Sequence, residues 1–303
     1  MNIGLCVPTY NAAPILPNFL SGVNTYNFTR KLAIDSSSRD STAAILSGSG
    51  FEVITIPKSN FDHGGTRQFA VETLSDCDII IFLTQDAVLV DSTSIENILS
   101  AFENPHVAIA YGRQLPRKGA RPIETHARIF SYPDLSRIKT KAMIPELGLR
   151  TAIVSNSFAA YRRSTLLELG GFPHNTLFGE DTLLGAKAIL AGHAIAYVGS
   201  ATVYHSHNYT ITQEFRRYFD NGAFYSRESW ILGNFGKAEG SGSAFVISEI
   251  QYLLKHAPHY LPKAILSTFV KFAGYKAGSF EKKLPNWIKF YLSMNAAFWK
   301  TPR

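Results

Sequence analysis

The sequence predicts an α/β fold: a mixed, mostly parallel sheet of nucleotide-binding type flanked by helices, with a helical appendage at the carboxyl end. Three observations carry that reading. Short apolar runs alternate with helix-like stretches between Ile3 and Leu83, at the spacing of right-handed βαβ units. The run Ile79-Ile80-Ile81-Phe82-Leu83 is apolar throughout and leads into Thr84, Gln85 and Asp86, the pattern of a strand buried on both faces. Such a strand delivers its last residues to the carboxyl edge of an open parallel sheet, where ligands bind. Beyond Gly233 the composition changes to aromatic and basic helices.

Taken in order, Ile3 to Val7 is the first strand and Pro8-Thr9-Tyr10-Asn11 its exit loop. A helix follows over Ala12 to Val23, started by Pro14, whose missing N–H needs no partner in a first turn. Lys31 to Ile34 is the second strand, closed by Asp35. The oxygen-rich stretch from Ser36 to Ser41 offers caps for a helix over Thr42 to Leu46. Phe51 to Ile56 gives the third strand and Thr66 to Leu74 the helix before the buried fourth. Later, Glu180 and Asp181 open an amphipathic helix whose apolar positions include Leu183, Leu184, Ala188 and Leu190. Ile195 to Val198 and Ala201 to Tyr204 read as two short strands, and Thr210 to Trp230 as a helix. Gly233, Gly236, Gly240 and Gly242 mark a hinge. Helices over Ala244 to Lys255, Leu261 to Tyr275 and Leu284 to Trp299 complete the chain.

With 303 residues and 46% hydrophobic content the chain can bury a full core, as one large domain or as a domain plus an appendage. No apolar run is long enough to span a bilayer, and the amino terminus opens with a strand pattern, not a signal sequence. The expectation is a cytoplasmic protein. Cys6 and Cys77 have neither metal-ligand spacing nor the pattern of a disulfide framework. The chain has no Gly-x-Gly-x-x-Gly and no Gly-Lys-Ser/Thr loop, which speaks against dinucleotide and P-loop chemistry. The net charge of +7 is uneven: from Gln251 to Arg303 nine Lys or Arg accompany one acid, Glu281. That end suits an anionic partner. The charge travels with apolar aromatics and no nucleic-acid-binding module, so no nucleic acid is expected.

Pro8-Thr9-Tyr10-Asn11, the segment from Asp35 to Thr42 and the acid after the fourth strand resemble the opening of the family-2 inverting glycosyltransferases, which have the GT-A fold. Phe61-Asp62-His63-Gly64-Gly65-Thr66-Arg67 is similar to the Phe-x-His-Gly-x-Thr-Arg signature of their rhamnosyltransferase branch. Tyr111 to Pro116 with Glu124 and Arg128, Phe130 to Pro133, Ser155 to Arg163, and Gly170 to Pro173 resemble further blocks of it, so the likeness runs from Met1 to about Trp230. It implies a glycosyltransferase domain over 1–232, with a nucleotide-binding half over 1–112 and an acceptor half over 113–232, followed by a basic aromatic region over 233–303. It also implies that Pro8, Thr9, Tyr10 and Asp35 hold the base and ribose. His63, Arg67, Gln85, Asp86 and Arg113 would serve the rest of the donor, with Asp86 on a divalent metal, Mg²⁺ or Mn²⁺. Gln85 stands where many relatives carry an acid, which leaves Asp86 alone to touch the metal.

The chemistry of the reaction explains these residue types. A nucleotide diphosphate leaves as an anion, so the site needs positive charge there, from a metal and from arginines such as Arg67 and Arg113. The attacking hydroxyl needs a base on the opposite face of the sugar. Neighbours on a helix point about 100° apart, so only one of Glu180 and Asp181 faces an acceptor easily, and acids at a helix start also simply complement its dipole. The resemblance gives the base role to Asp181, with Glu180 binding the acceptor or supporting the loop, and Asn156 is placed at the acceptor. His205 and His207 alternate on an extended segment and point the same way; the resemblance completes the metal shell with His207. The implied reaction moves L-rhamnose from dTDP-L-rhamnose to a hydroxyl of a cell-envelope glycan of O-antigen type, carried on a polyprenyl diphosphate. Another donor such as a UDP-hexose, or a catalytically silent glycan-binding assembly partner, stays open; Gln85 is the feature behind the latter. The carboxyl-terminal helices suit an anionic membrane at the inner face of the cytoplasmic membrane, or a packing appendage or homo-oligomer interface.

Overall fold

The computed structural model describes residues 1–236 and 241–300. Nine strands make one sheet: β1 (Ile3–Thr9), β2 (Arg30–Asp35), β3 (Glu52–Thr55), β4 (Ile79–Leu83), β5 (Val88–Leu89), β6 (Val107–Leu115), β7 (Arg137–Lys139), β8 (Phe158–Arg162) and β9 (Ala194–Tyr204). Their order is β3-β2-β1-β4-β8-β6-β9-β5, with β7 also on β9. β3, β2, β1 and β4 are parallel, β8 runs against both β4 and β6, and β6 is parallel to β9. One edge of the sheet therefore collects the carboxyl ends of β1, β2, β4, β6 and β9 and, because β8 is reversed, the segment that precedes it. Residues far apart in sequence meet at that edge.

β4 is buried at every position, as its unbroken apolar run predicts. Ile79, Ile81 and Leu83 enter the core on one face of the sheet, and Ile80 and Phe82 the core on the other. The helices are α1 (Leu16–Val23), α2 (Thr42–Gly48), α3 (His63–Thr73), α4 (Ser94–Ser100), α5 (Pro122–Ser131), α6 (Ile144–Leu147), α7 (Arg163–Glu168), α8 (Glu180–Leu190), α9 (Ile211–Arg227), α10 (Ser229–Phe235), α11 (Ser241–His256), α12 (Leu261–Ser279) and α13 (Asn286–Leu292).

Several element boundaries differ from the sequence expectation, for local reasons. The first helix begins at Leu16, and Pro17, not Pro14, occupies its first turn. α3 starts earlier than expected because Asp62 caps it, its Oδ2 accepting the Gly65 N–H at 3.1 Å. Gly64 therefore lies in the first helical turn. A Cβ there would sit 1.7 Å from the Pro173 carbonyl oxygen, so only glycine allows that loop to close on the helix. The two strands expected between Ile195 and Tyr204 are one, β9, with a register slip opposite Gly112 and Arg113. The helix expected over Thr210 to Trp230 breaks at Glu228 into α9 and α10.

The last expected helix is α13 followed by a single 3-10 turn at Ala296–Trp299. The break is held by the buried Asp220 on α9, which accepts from the Ser293 hydroxyl (2.6 Å) and from the backbone N–H groups of Met294 (3.0 Å) and Asn295 (3.1 Å). Gly233 lies inside α10, and the hinge expected over 233–242 falls in part on 237–240, outside the described residues. The carboxyl-terminal helices dock closely. Where α12 crosses α9, a Cβ on Gly278 would come 2.0 Å from the Phe219 carbonyl oxygen, and Trp299 is buried with Leu177, Phe219 and Ala223.

Candidate active site

At the end of β1 the loop is held by side chains from its neighbours. Thr9 Oγ1 donates to Asp35 Oδ1 at 3.1 Å. The buried Asp35 carboxylate also accepts the Ser38 N–H (2.8 Å) and hydroxyl (2.5 Å). Gln85 closes the loop from β4: its Oε1 accepts the Tyr10 N–H at 2.8 Å and its Nε2 donates to the Tyr10 carbonyl at 3.3 Å. An amide can satisfy both backbone groups at once; a carboxylate in that place would be an acceptor only. Lys58 lies over the Tyr10 ring at 3.9 Å, and its hydrogen bond draws the phenol below its ordinary range. Pro8 precedes these residues on β1, half-buried.

Asp86, one residue further, meets the chain after β9. His205 Nε2 is 3.5 Å from Asp86 Oδ1 and His207 Nδ1 3.9 Å from Oδ2. One ligand atom from each of the three lies within 4.8 Å of the others, an arrangement able to hold a metal ion. Burial works against the Asp86 charge, but the hydrogen bond and charge of His205 hold its carboxyl well below the usual range. Burial and the neighbouring His205 push His207 down to about 4, which leaves it neutral at physiological pH and free to ligate. Arg117 Nη2 sits 2.8 Å from Asp86 Oδ2 and also bonds the Asp86 carbonyl. A cavity of about 350 Å³ opens beside it, lined by Arg117, Lys118, Ser206, His207, Tyr209 and Gln213.

Behind the histidines is the buried Gln114 of β6. Its Oε1 accepts from Arg128 Nη1 at 2.7 Å and lies 2.9 Å from His205 Nδ1; its Nε2 donates to the Tyr132 hydroxyl (2.8 Å) and Ser155 Oγ (2.7 Å). Because Arg128 fixes which end of the amide is the oxygen, His205 Nδ1 carries a proton, and Nε2 is the nitrogen turned toward Asp86. The Ser155 bond leads to the other half of the site.

Asn156, next to Ser155, donates its backbone N–H to Asp181 Oδ2 (3.1 Å) and its Nδ2 to Glu180 Oε1 (3.0 Å), and its Oδ1 accepts the Tyr161 hydroxyl at 2.6 Å. The two acids open α8 after Gly179, whose positive φ turns the chain into the helix. Glu180 is buried and paired with Arg67, Nη1 to Oε1 2.9 Å. Burial raises its affinity for a proton, but Arg67, His63 and the Asn156 bond together outweigh this, and the carboxyl is held below its ordinary value. Asp181 is half-buried and goes the other way: burial, then the Glu180 charge, raise it to about 6. Two adjacent carboxyls thus diverge, one committed to an ion pair and one poised to take a proton.

The structure brings Thr9, Tyr10, Asp35, Gln85, Asp86, His207, Asn156, Glu180 and Asp181 to one sheet edge. The two arginines expected at the diphosphate are occupied otherwise. Arg67 is buried between Glu180 and the His63 carbonyl (2.8 Å), and Arg113 Nε donates to the Tyr132 carbonyl at 3.1 Å. His63 opens α3 beside Phe61, and burial lowers its basicity. The cation at Asp86 is Arg117, which the sequence did not single out; its only advance signal is its place just after Leu115, the last residue of β6. His205 and Gln114 were legible, as the partner histidine and within the Tyr111 to Pro116 block, but without roles.

These features are those of an enzyme active site at the carboxyl edge of an α/β sheet, and the family model for glycosyl transferase family 2 matches residues 5–170. The chain belongs to that family and is a glycosyltransferase. It is 47% identical over 302 residues, 99% of this chain and 96% of the relative, to the O-antigen chain rhamnosyltransferase RfbN of Salmonella typhimurium strain LT2. It is 46% identical over 298 residues, 97% and 95% of the two chains, to the O-antigen chain rhamnosyltransferase WbaN of Salmonella anatum. Among solved structures it resembles the mannosyltransferase PcManGT from Pyrobaculum calidifontis in complex with GDP-Man and Mn²⁺, with a TM-score of 0.58, 17% identity and coverage of 98% and 86%. It also resembles S. aureus TarS in complex with UDP-GlcNAc, with a TM-score of 0.57, 15% identity and coverage of 97% and 84%. At these identities the structural likeness is one of fold.

Proposed function

We propose that this glycosyltransferase moves L-rhamnose from dTDP-L-rhamnose, with inversion at the anomeric carbon, to a hydroxyl of an O-antigen-type glycan carried on a polyprenyl diphosphate. The observation that carries the chemistry is the divergence of carboxylates at one sheet edge: Asp86 kept ionised beside two imidazoles, Asp181 raised to about 6 beside Glu180. The likeness to two proteins named O-antigen chain rhamnosyltransferases supports the sugar and the acceptor class.

In this reading Asp181 Oδ accepts the proton of the attacking hydroxyl while Asn156 holds the carboxylate in place through its N–H. Gln85 fixes the Tyr10 backbone, so its replacement of an acid gives the loop a clamp and is compatible with an active enzyme. Asp86, His205 and His207 would hold a divalent ion, which supplies charge neutralisation for the departing nucleotide diphosphate. One carboxylate and two imidazoles suit Mn²⁺ better than Mg²⁺. Glu180 supports the acceptor side through Asn156, with its charge already spent on Arg67.

Calorimetric titration of dTDP-L-rhamnose, dTDP-glucose and UDP-glucose, with and without Mn²⁺, tests the donor and the metal together. Preferred, Mn²⁺-dependent binding of dTDP-L-rhamnose that Asp86→Ala abolishes is the expected result; equal binding of all three sugars would refute the donor assignment. Arg117 gives a second expectation of opposite sign. Its guanidinium occupies Asp86 Oδ2, so Arg117→Ala should tighten Mn²⁺ binding severalfold in the absence of donor, as read by titration with Mn²⁺ alone, and weaken the nucleotide sugar. A variant that binds Mn²⁺ more weakly than the wild type would show that Arg117 does not compete for that oxygen.

A further inference from the structure

Helix α12 turns its small residues inward and its large apolar ones outward. Ala264, Ser267, Gly274 and Gly278 are buried. On the opposite side Ile265, Leu266, Phe269 and Phe272 are 51%, 52%, 69% and 68% exposed. These positions fall on one stripe at helical spacing. Other elements of the carboxyl-terminal region also expose large apolar side chains: Ile247 and Leu254, seven residues apart on α11, and Trp287 and Tyr291, four apart on α13, are all more than half exposed. Large apolar side chains concentrated in this way mark an interaction surface.

The charge around them has one sign. Lys255, Lys276, Lys282, Lys283 and Lys300 are exposed. The acids between 241 and 300 are Glu249 and Glu281, and both are buried, at 2% and 1% exposure. Glu281 is spent on Lys289 (3.4 Å) and Arg227 (3.6 Å). Among the described residues this region therefore presents apolar and aromatic side chains flanked by lysines, with no exposed carboxylate.

We propose that the outer faces of α12, α11 and α13 dock on an anionic lipid surface, with Phe269, Phe272 and Trp287 at head-group depth and the lysines on lipid phosphates. Apolar insertion and lysine attraction act together on such a surface, and Trp and Tyr favour its interface. A second copy of the chain is the poorer occupant, because self-pairing would set lysines against lysines with no exposed acid to meet them. The mode is surface docking; among the described residues no helix is long and apolar enough to cross a membrane.

Docking there would hold the candidate active site at the membrane. α11 packs on α5 through Ser248 and His126 (2.9 Å), and α5 carries Arg128, which reaches Gln114 behind the histidines. The inference stands apart from the donor assignment and uses none of the residues that carry it.

Co-sedimentation of the full chain with phosphatidylcholine vesicles, with and without phosphatidylglycerol, tests it. The wild type should pellet with the phosphatidylglycerol vesicles, less so as salt rises, and stay in solution with phosphatidylcholine alone. Phe269→Glu/Phe272→Glu should weaken that binding about tenfold or more. Both side chains are more than two-thirds exposed, so the thermal unfolding midpoint should not change. Lys282→Glu/Lys283→Glu should weaken binding and flatten its salt dependence. Failure to bind phosphatidylglycerol vesicles, or undiminished binding by the Phe269→Glu/Phe272→Glu protein, overturns the proposal. So does a concentration-dependent dimer in sedimentation velocity that the same pair of substitutions dissolves, since the face would then belong to a second copy.

Discussion

Asp181→Asn is expected to lower kcat by about 10²–10⁴-fold with nucleotide-sugar binding unchanged, because the carboxamide keeps the size of the side chain but cannot take the acceptor's proton. Its oxygen can still accept the Asn156 N–H, so the local fold should survive. The pH profile makes the assignment specific. Burial and then the Glu180 charge raise Asp181 from 3.8 to about 6, so on metal-saturated enzyme kcat/KM should climb with pH to a shoulder near there. The residual activity of the Asn variant should lack that limb. Stability moves the other way. A carboxyl raised in the folded state holds its proton more tightly than the unfolded chain does, so stability is greatest below 3.8 and falls as pH rises through about 6. Asp181→Asn should remove that fall in urea-unfolding curves taken across the window. Wild-type turnover in the variant would rule Asp181 out as the base.

The parts of this site that were legible in the sequence are those whose chemistry and neighbours lie on one local segment. The buried run Ile79 to Leu83 announces both a central strand and the acid it delivers, since no surface strand could be apolar on both faces. His205 and His207 could be paired because an extended chain turns alternate residues the same way. The Glu180–Asp181 helix start was visible, and the resemblance told the two acids apart, but the physical ground for the difference was not legible: it depends on Arg67, more than a hundred residues earlier, and on Asn156. Arg67 and Arg113 show the same limit from the other side. A sequence identifies a cation near a site, yet whether the cation is free for a ligand depends on which carbonyl or carboxylate the fold sets against it. Arg117 had no local pattern at all; it reaches Asp86 only because β6 and β4 end at the same edge. At the carboxyl end composition was a good guide to helix and charge. It said nothing of Asp220, which breaks the last helix by gathering four donors from 293–295.

Arg67→Met is expected to cost about 3–5 kcal/mol of stability, more than any other single change at the site, because it strands the Glu180 carboxylate in a buried position. Both side chains are under a tenth exposed and no other cation is bonded to Glu180 among the described residues. Arg67→Met/Glu180→Gln should recover much of that loss, as the charge is then gone from both sides of the pair. The pH dependence separates this account from simple loss of packing. In the wild type Glu180 is held below 4.5, so the stability it contributes is present above 4.5 and lost as pH falls through the lowered value. Without Arg67, burial dominates and raises the same carboxyl, so the contribution reverses and stability should fall as pH rises. Parallel stability curves for wild type and Arg67→Met would show that the ion pair is not what the substitution breaks. The pair also bears on catalysis, since Arg67 is one of the charges that restrain Asp181. Its removal also lets Glu180 hold a proton, and the loss of the Glu180 charge, the larger of the two effects on Asp181, should carry the acid limb of kcat/KM to lower pH, even though Arg67 is placed to touch neither the acceptor nor the metal-side residues.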